Sequence, residues 1–145
     1  MMRFVKPLQK MGRKAGATIL EVLIVLSIIA LIAAVVGPRL VGYLGRAKTE
    51  TAELQVKNLA EAVQLFYIDM GRYPTTSEGL GVLVHSPAGE AAWQGPYMPT
   101  EEALVDPWGR DYLYEEPSGQ GSFKIQSQGR DGTRGGTGED TDVAF

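Results

Sequence analysis

The side chains best suited to chemistry are four carboxylates crowded into a glycine-rich stretch near the C-terminus: Asp131, Glu139, Asp140 and Asp142. Hard oxygen donors on a flexible loop suit Ca²⁺, which accepts roughly six to eight oxygen ligands, including backbone carbonyls and water. Their spacing does not fit an EF-hand, which needs alternating acids. Residues 135–140 match the start of one calcium-binding nonapeptide repeat, but such repeats work in tandem arrays. From these residues alone, a calcium loop and a solvated acidic loop both stay open.

Catalytic chemistry has little support elsewhere in the chain. The sequence contains no cysteine, which excludes a disulfide framework, a thiolate nucleophile, an iron–sulfur cluster and a cysteine zinc site. His85 is the only histidine. Its neighbour Ser86 precedes a proline, and the Ser-Pro pair is typical of a loop, not of a catalytic dyad. We therefore expect a non-enzymatic protein, with a membrane-anchored periplasmic enzyme as the lesser alternative.

Charge is distributed unevenly along the 145 residues. Of the 14 basic residues, five lie within the first sixteen positions, which contain none of the 17 acidic residues. The remainder of the chain is therefore strongly acidic and would repel nucleic-acid phosphates, and it has no basic stripe with interleaved aromatic residues. We expect no nucleic-acid partner. The five basic residues are Arg3, Lys6, Lys10, Arg13 and Lys14.

Residues 17–37 form an apolar stretch with a single charged residue, Glu21. As a helix, this stretch would be about 31 Å long, which is enough to span the hydrocarbon core of a bilayer. The basic leader predicts a cytoplasmic N-terminus, so the C-terminal body would face the periplasm of a Gram-negative cell. A cleavable secretory signal is the alternative, but the apolar run is longer than such signals and lacks a small-x-small cleavage site in a loop.

Glu21 is the unusual residue of this stretch, because a carboxylate inside a membrane is costly unless it is protonated, paired or close to the interface. One interpretation is an interfacial acid whose side chain reaches water. The other is that Glu21 pairs with a cation of another chain. A free amino group made by cutting before Ala17 would lie at a similar depth, and this attraction would favour assembly in register.

The leader residues Lys14-Ala15-Gly16, followed by Ala17-Thr18-Ile19-Leu20-Glu21, resemble the class III leader of type IV pilins and type II secretion pseudopilins. The resemblance implies that a prepilin peptidase cuts after Gly16 and that the new N-terminal residue, Ala17, is N-methylated. It also implies roles in assembly for the acid Glu21 and the proline Pro38.

Beyond Pro38, apolar residues recur mostly at spacings of three and four through Met70, which predicts an amphipathic helix with one buried stripe. Gly71 is a plausible C-terminal cap. The rest of the chain is too short for a large independent core and should pack on that stripe. The predicted stripe consists of Leu44, Val56, Leu59, Ala60, Val63, Phe66, Tyr67 and Met70.

The head region contains three local signals. Residues 75–78 can form a capping box that starts a short helix. Residues 106–109, Asp-Pro-Trp-Gly, have the preferences of a type I turn. Two runs rich in aromatic residues and isoleucine, 110–116 and 122–128, predict an antiparallel hairpin. The fold class is therefore α+β, with a long N-terminal helix, first transmembrane and then amphipathic, packed against a small antiparallel sheet.

The order of the head motifs sharpens the resemblance to the major pseudopilin family of type II secretion. The motifs are Arg72-Tyr73-Pro74-Thr75-Thr76, Glu78-Gly79-Leu80, Gly95-Pro96-Tyr97, Asp106-Pro107-Trp108-Gly109 and Gly129-Arg130-Asp131-Gly132. The resemblance implies a type IV pilin-like fold. Its segments would be a cleaved leader (1–16), a transmembrane assembly helix (17–38), an amphipathic helix (39–71) and a periplasmic head with a calcium loop (72–145).

The same resemblance implies a structural subunit that polymerises with copies of itself into a periplasmic filament, which helps to export folded proteins across the outer membrane. Its further partners would be minor pseudopilins, the inner-membrane assembly platform and, before assembly, the lipid bilayer. It also implies a structural Ca²⁺ held by Asp131, Asp140 and Asp142. A type IV pilin of a surface fibre is the alternative, although adhesive pilins usually carry a disulfide loop that this chain cannot form.

Overall fold

The computed structural model describes residues 18–119 and 121–145. The leader and cleavage predictions for Gly16 and Ala17 lie outside these residues. A long helix is followed by a small head, which confirms the α+β prediction. The elements are α1 (Ile19–Met70), three 3₁₀ helices (Gly79–Leu83, Glu101–Leu104 and Gly138–Asp140) and three strands, β1 (Leu113–Glu115), β2 (Lys124–Ser127) and β3 (Val143–Ala144).

The chain divides between Arg39 and Leu40 into two compact units. In the first, α1 is long and apolar enough to cross a membrane. Its large apolar side chains between Ile19 and Val36 are 41% to 83% exposed, so within this unit they do not form the core of a soluble domain. The Ser27 hydroxyl donates to the Leu23 carbonyl at 2.7 Å, which satisfies the one serine of this stretch within the helix itself.

The second unit is organised around the apolar stripe of α1. Val56, Leu59, Val63 and Phe66 are at most 1% exposed, because their spacing of three and four residues places them on one helix face. This confirms the centre of the predicted stripe. Leu44 is an exception and is 66% exposed.

In the part of α1 that precedes Val56, the buried helix face instead contains Gly45 and Ala52. Leu44 is exposed because it lies about 100° around the helix from Gly45. Tyr67 is likewise about 100° from Phe66, is 41% exposed and stacks on Tyr73 with ring centroids 4.4 Å apart.

Polar contacts fix the head at both ends of the stripe. The Tyr97 hydroxyl donates to Asp69 at 2.7 Å, and the Tyr112 hydroxyl donates to the Gln55 side-chain oxygen at 2.8 Å. At the end of α1, the N–H of Gly71 bonds to the Tyr67 carbonyl at 2.8 Å. Gly71 has φ of +68°, a left-handed conformation that favours glycine and ends the helix as predicted.

The predicted capping box is present between Thr75 and Glu78. The Thr75 hydroxyl accepts from the Glu78 N–H at 3.2 Å, while the Glu78 carboxylate accepts from the Thr75 N–H at 2.8 Å. The Arg72 guanidinium also forms a bidentate ion pair with the Glu78 carboxylate, with N···O distances of 2.8 and 2.9 Å. The helix that follows is a single 3₁₀ stretch, Gly79–Leu83, which places Leu80 and Leu83 against the core.

The predicted hairpin is confirmed with shorter strands. β1 and β2 are antiparallel with Tyr114 opposite Ile125, and both side chains point into the core. Burial raises the pKa of Tyr114 to about 12, and its hydroxyl donates to the Pro74 carbonyl at 2.9 Å.

β3 pairs with the other edge of β2, with Val143 opposite Ser127. Sequence analysis did not predict this strand, because two residues are too few to show periodicity.

The stability of the head depends on pH through the carboxylate of Glu78. Hydrogen bonds from Arg72 and Thr75 lower the pKa of Glu78 to about 2. Since the folded pKa lies below the unfolded value of about 4.3, this stabilisation is present above that value and is lost as the pH falls towards 2. Allowing for partial solvent screening, we expect Glu78→Gln to lower the free energy of unfolding by roughly 1–2 kcal/mol at pH 7.

The measurement is urea unfolding of the full chain in detergent, followed by tryptophan fluorescence. At about pH 2 the difference between wild type and Glu78→Gln should nearly vanish. Glu115→Gln, on the exposed side of β1, is the matched control and should unfold like the wild type. An equal loss of stability in Glu78→Gln at both pH values would contradict the assignment.

Candidate functional site

The described part of the apolar span begins with a helix cap. The Thr18 hydroxyl accepts a hydrogen bond from the Glu21 N–H at 3.2 Å, as an N-terminal capping residue does. Glu21 lies in the first turn of α1 and is exposed, where a carboxylate also complements the helix dipole. The Thr-x-x-Glu spacing of a capping box was visible in the sequence but was missed.

Pro38 lies inside α1, and the helix continues through it to Met70. Proline has no N–H, so the hydrogen bond to the Ala34 carbonyl cannot form at this point. The predicted assembly role of Pro38 therefore falls on a place where the helix ladder lacks one bond.

The frame of the C-terminal loop is a buried carboxylate, Asp106, which is 5% exposed. One carboxylate oxygen accepts from the N–H groups of Trp108 and Arg110, at 3.0 and 2.9 Å. The other accepts from the Ser127 hydroxyl at 2.6 Å. The N–H of Gly109 bonds to the Asp106 carbonyl at 2.9 Å, which closes the predicted turn. Asp106 thus joins the 106–109 turn to the end of β2.

The loop then continues over Gly129, whose carbonyl accepts from the Arg110 guanidinium. Gly129 has φ of +63°, and a Cβ there would lie 2.7 Å from the Glu139 carbonyl oxygen. Only glycine fits this close approach, which lets the Arg130 N–H reach the same carbonyl at 2.8 Å. The two ends of the loop are therefore held together by backbone contacts.

Each of the three predicted calcium ligands has its own partner. Asp131 accepts from the Thr133 N–H and hydroxyl at 3.0 and 2.8 Å, and the backbone hydrogen bond from Thr133 lowers the pKa of Asp131. Asp140 forms a two-pronged ion pair with Arg130, at 2.9 and 3.1 Å.

Asp142 provides the clearest opening for a cation. One of its oxygens accepts from the Gln126 side-chain amide at 2.8 Å and from the Gly135 N–H at 3.0 Å. The other is buried and has no hydrogen-bond partner in the part of the chain that the structure describes. A buried carboxylate oxygen without a donor is costly, and a cation would relieve that cost.

The donor set therefore suits Ca²⁺ chemically, but it is not already assembled. Among residues 18–119 and 121–145, no three acidic or histidine side chains lie together as a metal cluster. Glu139 is turned aside, since its side chain packs against Gly45 and lies 3.8 Å from Arg130.

His85 provides no catalytic arrangement. Its ring nitrogen lies 2.8 Å from Glu101, and the two side chains are 67% and 72% exposed. Both groups are solvated, and the Ser86 hydroxyl donates to the Pro87 carbonyl instead of approaching His85. This geometry is that of a surface pair.

Comparison with known proteins identifies the family. The model of the type II secretion system protein G family matches residues 39–145. This chain belongs to the type II secretion system protein G family. Core protein G of Xanthomonas campestris pv. campestris is 36% identical over 132 residues, covering 91% of this chain and 90% of that protein. Core protein G of Pseudomonas aeruginosa is 33% identical, covering 90% and 94%.

A solved structure agrees with this assignment. The major pseudopilin from the type 2 secretion system of enterohaemorrhagic Escherichia coli matches with a TM-score of 0.56 and 30% identity, covering 74% of this chain and 93% of that one. The predictions of a pseudopilin, of a structural subunit and not an enzyme, and of a pilin-like α+β fold are thereby confirmed. A surface-fibre pilin is not favoured.

The anchoring role of Asp106 could not be predicted from its motif. Asp-Pro-Trp-Gly indicates only a turn, because the partner Ser127 lies 21 residues further along the chain. A buried aspartate whose two carboxylate oxygens both accept hydrogen bonds is a structural anchor. In this protein G family member, the anchor supports the end of β2, from which the C-terminal loop departs.

Asp106→Asn tests this anchor. An amide offers a single acceptor oxygen and places an NH₂ group against existing donors, so we expect a loss of about 2–3 kcal/mol in the free energy of unfolding. Asp111→Asn is the matched control, because Asp111 is exposed, and it should change stability by less than about 0.5 kcal/mol. Urea titration of the full chain in detergent measures both, and equal midpoints for the two variants would refute the anchor.

Proposed function

We propose that this pseudopilin polymerises into a periplasmic filament and that growth of the filament helps to move folded proteins across the outer membrane. The observation that carries the proposal is the combination of an exposed apolar helix stretch with a head that has its own buried core. Such a subunit can leave the bilayer only if other surfaces cover its apolar stretch. Repeated head-to-tail contacts between identical subunits provide that cover and build an open filament.

The subunit is held before assembly as a single-pass protein of the inner membrane. The basic leader places the N-terminus in the cytoplasm and the head in the periplasm. Its partners in the filament are copies of itself and minor pseudopilins, and its partner in the membrane is the assembly platform. No nucleic acid takes part.

Processing prepares the subunit for assembly. A prepilin peptidase cuts after Gly16, and Ala17 is then N-methylated. The new amino group pairs with Glu21 of a neighbouring subunit. This pairing is favoured in a low-dielectric environment because each charge would otherwise be uncompensated. The Thr18 cap supports it by starting the helix directly before Glu21.

We also propose that Asp131, Asp140 and Asp142 bind Ca²⁺. The strongest support is the buried Asp142 oxygen that has no hydrogen-bond partner among the residues that the structure describes. When bound, the cation neutralises carboxylates that would otherwise repel one another. The chain's own residues hold the loop ends together through Arg110 and Arg130. Engagement of Asp140 by a cation requires that it release Arg130 in exchange.

The processing proposal predicts a specific mature chain. In cells with the prepilin peptidase, the intact mass and N-terminal sequence should show a chain beginning with methylated Ala17. In cells without the peptidase, the uncut chain should persist. Glu21→Gln should still be cut, but should lower the yield of sedimentable filaments about tenfold, since a loss of ~1.4 kcal/mol per contact changes an association constant by that factor.

Either an uncut chain in both strains or cleavage after the apolar run would contradict processing at Gly16. Loss of secreted proteins without loss of surface fibres in a deletion strain would support the pseudopilin role. The reverse pattern would support a surface fibre instead.

The calcium proposal predicts a melting temperature that depends on the cation. Adding chelator to the full chain in detergent should lower its midpoint by about 4–8 °C, the shift expected for ~1 kcal/mol in a domain of this size. Asp142→Asn should melt like the chelated wild type and no longer respond to Ca²⁺. Glu116→Gln, outside the loop, should respond as the wild type does. A wild-type midpoint unchanged by chelator would refute the site.

A further inference from the structure

The head carries an open groove between its first two 3₁₀ helices and residues 111–112, which precede β1, with a volume of about 560 Å³. The floor of the groove is apolar and includes Leu80, Leu104, Val105 and Tyr112. Leu80 and Tyr112 are buried, at 6% and 5% exposure, whereas Leu104 and Val105 are half-buried and form the accessible part of this floor.

The rim of the groove is acidic. Its carboxylates are Glu78, Glu101, Glu102 and Asp111. Glu78 is balanced by the two-pronged ion pair with Arg72. The other three are exposed, and the only ion pair that they make within residues 18–119 and 121–145 is the contact between Glu101 and His85. The rim therefore offers three carboxylates without an arginine or lysine partner.

The opposite charge pattern lies on α1. Residues 39–48 contain Arg39, Arg46 and Lys48 and no acid, and all three cations are exposed. Tyr43 is 63% exposed, and the Arg46 guanidinium lies over its ring, 4.9 Å from the centroid. Arginine and tyrosine are the residue types that most often anchor protein interfaces. We name residues 39–48 the basic segment.

We propose that the groove of one subunit receives the basic segment of a second copy of this chain. Tyr43 packs on the apolar floor, and Arg46 pairs with Glu101 and Glu102. The segment carries three cations and the rim carries three exposed carboxylates, of which only Glu101 has a basic partner, His85, within residues 18–119 and 121–145. A second copy therefore has the complementary charge. This inference rests on the proposed filament and names one of its subunit contacts.

The groove lining comes from residues 78–112, with no contribution from α1. Gly45, inside the basic segment, and Ala52, just beyond it, are buried in the head of their own subunit. That burial fixes the segment at one place on its own head, so the occupant of the groove comes from another copy. Arg39 lies seven residues before Arg46 and so on nearly the same helix face, while Lys48 lies on another face and adds long-range attraction.

Anionic lipid headgroups are the alternative partner for the basic segment, because this segment directly follows the apolar span. A membrane would attract Arg39 and Arg46 by charge, but it would leave the acidic groove empty. The experiment must therefore show contact between the groove and the segment, and not only dependence on the basic residues.

Cysteine crosslinking gives that proof, because the chain contains no natural cysteine. One copy carries Arg46→Cys and the other Glu102→Cys, with an epitope inserted in the exposed turn between Ser118 and Gly119 to distinguish them. Both full chains are expressed together in cells with the prepilin peptidase and assembly platform. An Arg–Glu ion pair leaves its Cα atoms farther apart than the ~7 Å that a direct disulfide allows, so a thiol-reactive bismaleimide is used to bridge the two cysteines. Lys124→Cys, exposed on β2 away from the groove, replaces Glu102→Cys in the control pair.

We expect a bismaleimide-linked heterodimer from Arg46→Cys with Glu102→Cys and none from Arg46→Cys with Lys124→Cys. Charge reversal provides a second measurement. Glu102→Lys should reduce sedimentable filaments about tenfold, and adding Arg46→Glu to the same chain should restore them to within about twofold of wild type. Tryptophan fluorescence of each variant checks that the head is folded.

The outcomes separate the two proposals. If wild-type chains form filaments, but the crosslink is absent and charge reversal has no effect, the groove contact is wrong and the filament role stands. If wild-type chains form no filaments, both are wrong. If Arg46→Glu weakens binding to anionic phosphatidylglycerol vesicles and no crosslink to Glu102→Cys forms, the basic segment binds lipid and the groove contact is refuted.

Discussion

The head depends on one apolar stripe, the face of α1 that carries Val56, Leu59, Val63 and Phe66. The strands are two to four residues long, shorter than the usual length of about 5–6 residues, and the sheet gains stability by packing on the helix. When the sheet packs on the helix, Tyr114, Phe123 and Ile125 are buried in one core with the apolar stripe of α1. Helix residues 40–70 and the head therefore form one folding unit, and the exposed face of the helix is left for other molecules.

What could be predicted from the sequence follows from the range of each interaction. The stripe of α1, the Gly71 cap and the Thr75–Glu78 capping box are encoded within a few residues, and all were predicted. The Asp106–Ser127 contact and the pairing of β3 with β2 join residues far apart in the chain, and no local pattern indicates them. Leu44 and Tyr67 were misplaced because a spacing of three or four permits two neighbouring faces, and only the packed head selects one.

The loop from Gly129 to Asp142 illustrates the same limit for a site. Its acids and glycines could be found by composition, and resemblance assigned three of the acids to Ca²⁺. The structure adds the competition within the loop, in which Arg130 already neutralises Asp140. Asp142 keeps one oxygen to which no group in residues 18–119 and 121–145 donates. Composition could not show this, because the balance depends on which side chains meet when the loop closes over Gly129.

Gly45 is the first residue of α1 to be buried in the head, and what covers it is the Glu139 side chain of the C-terminal loop. A side chain at position 45 would have to displace Glu139, because its Cβ would occupy the space of that carboxylate. The ion pairs of Arg130 with Glu139 and Asp140 hold the rest of the loop beside this contact. The absence of a side chain at one helix position thus sets how closely the C-terminal loop can approach α1.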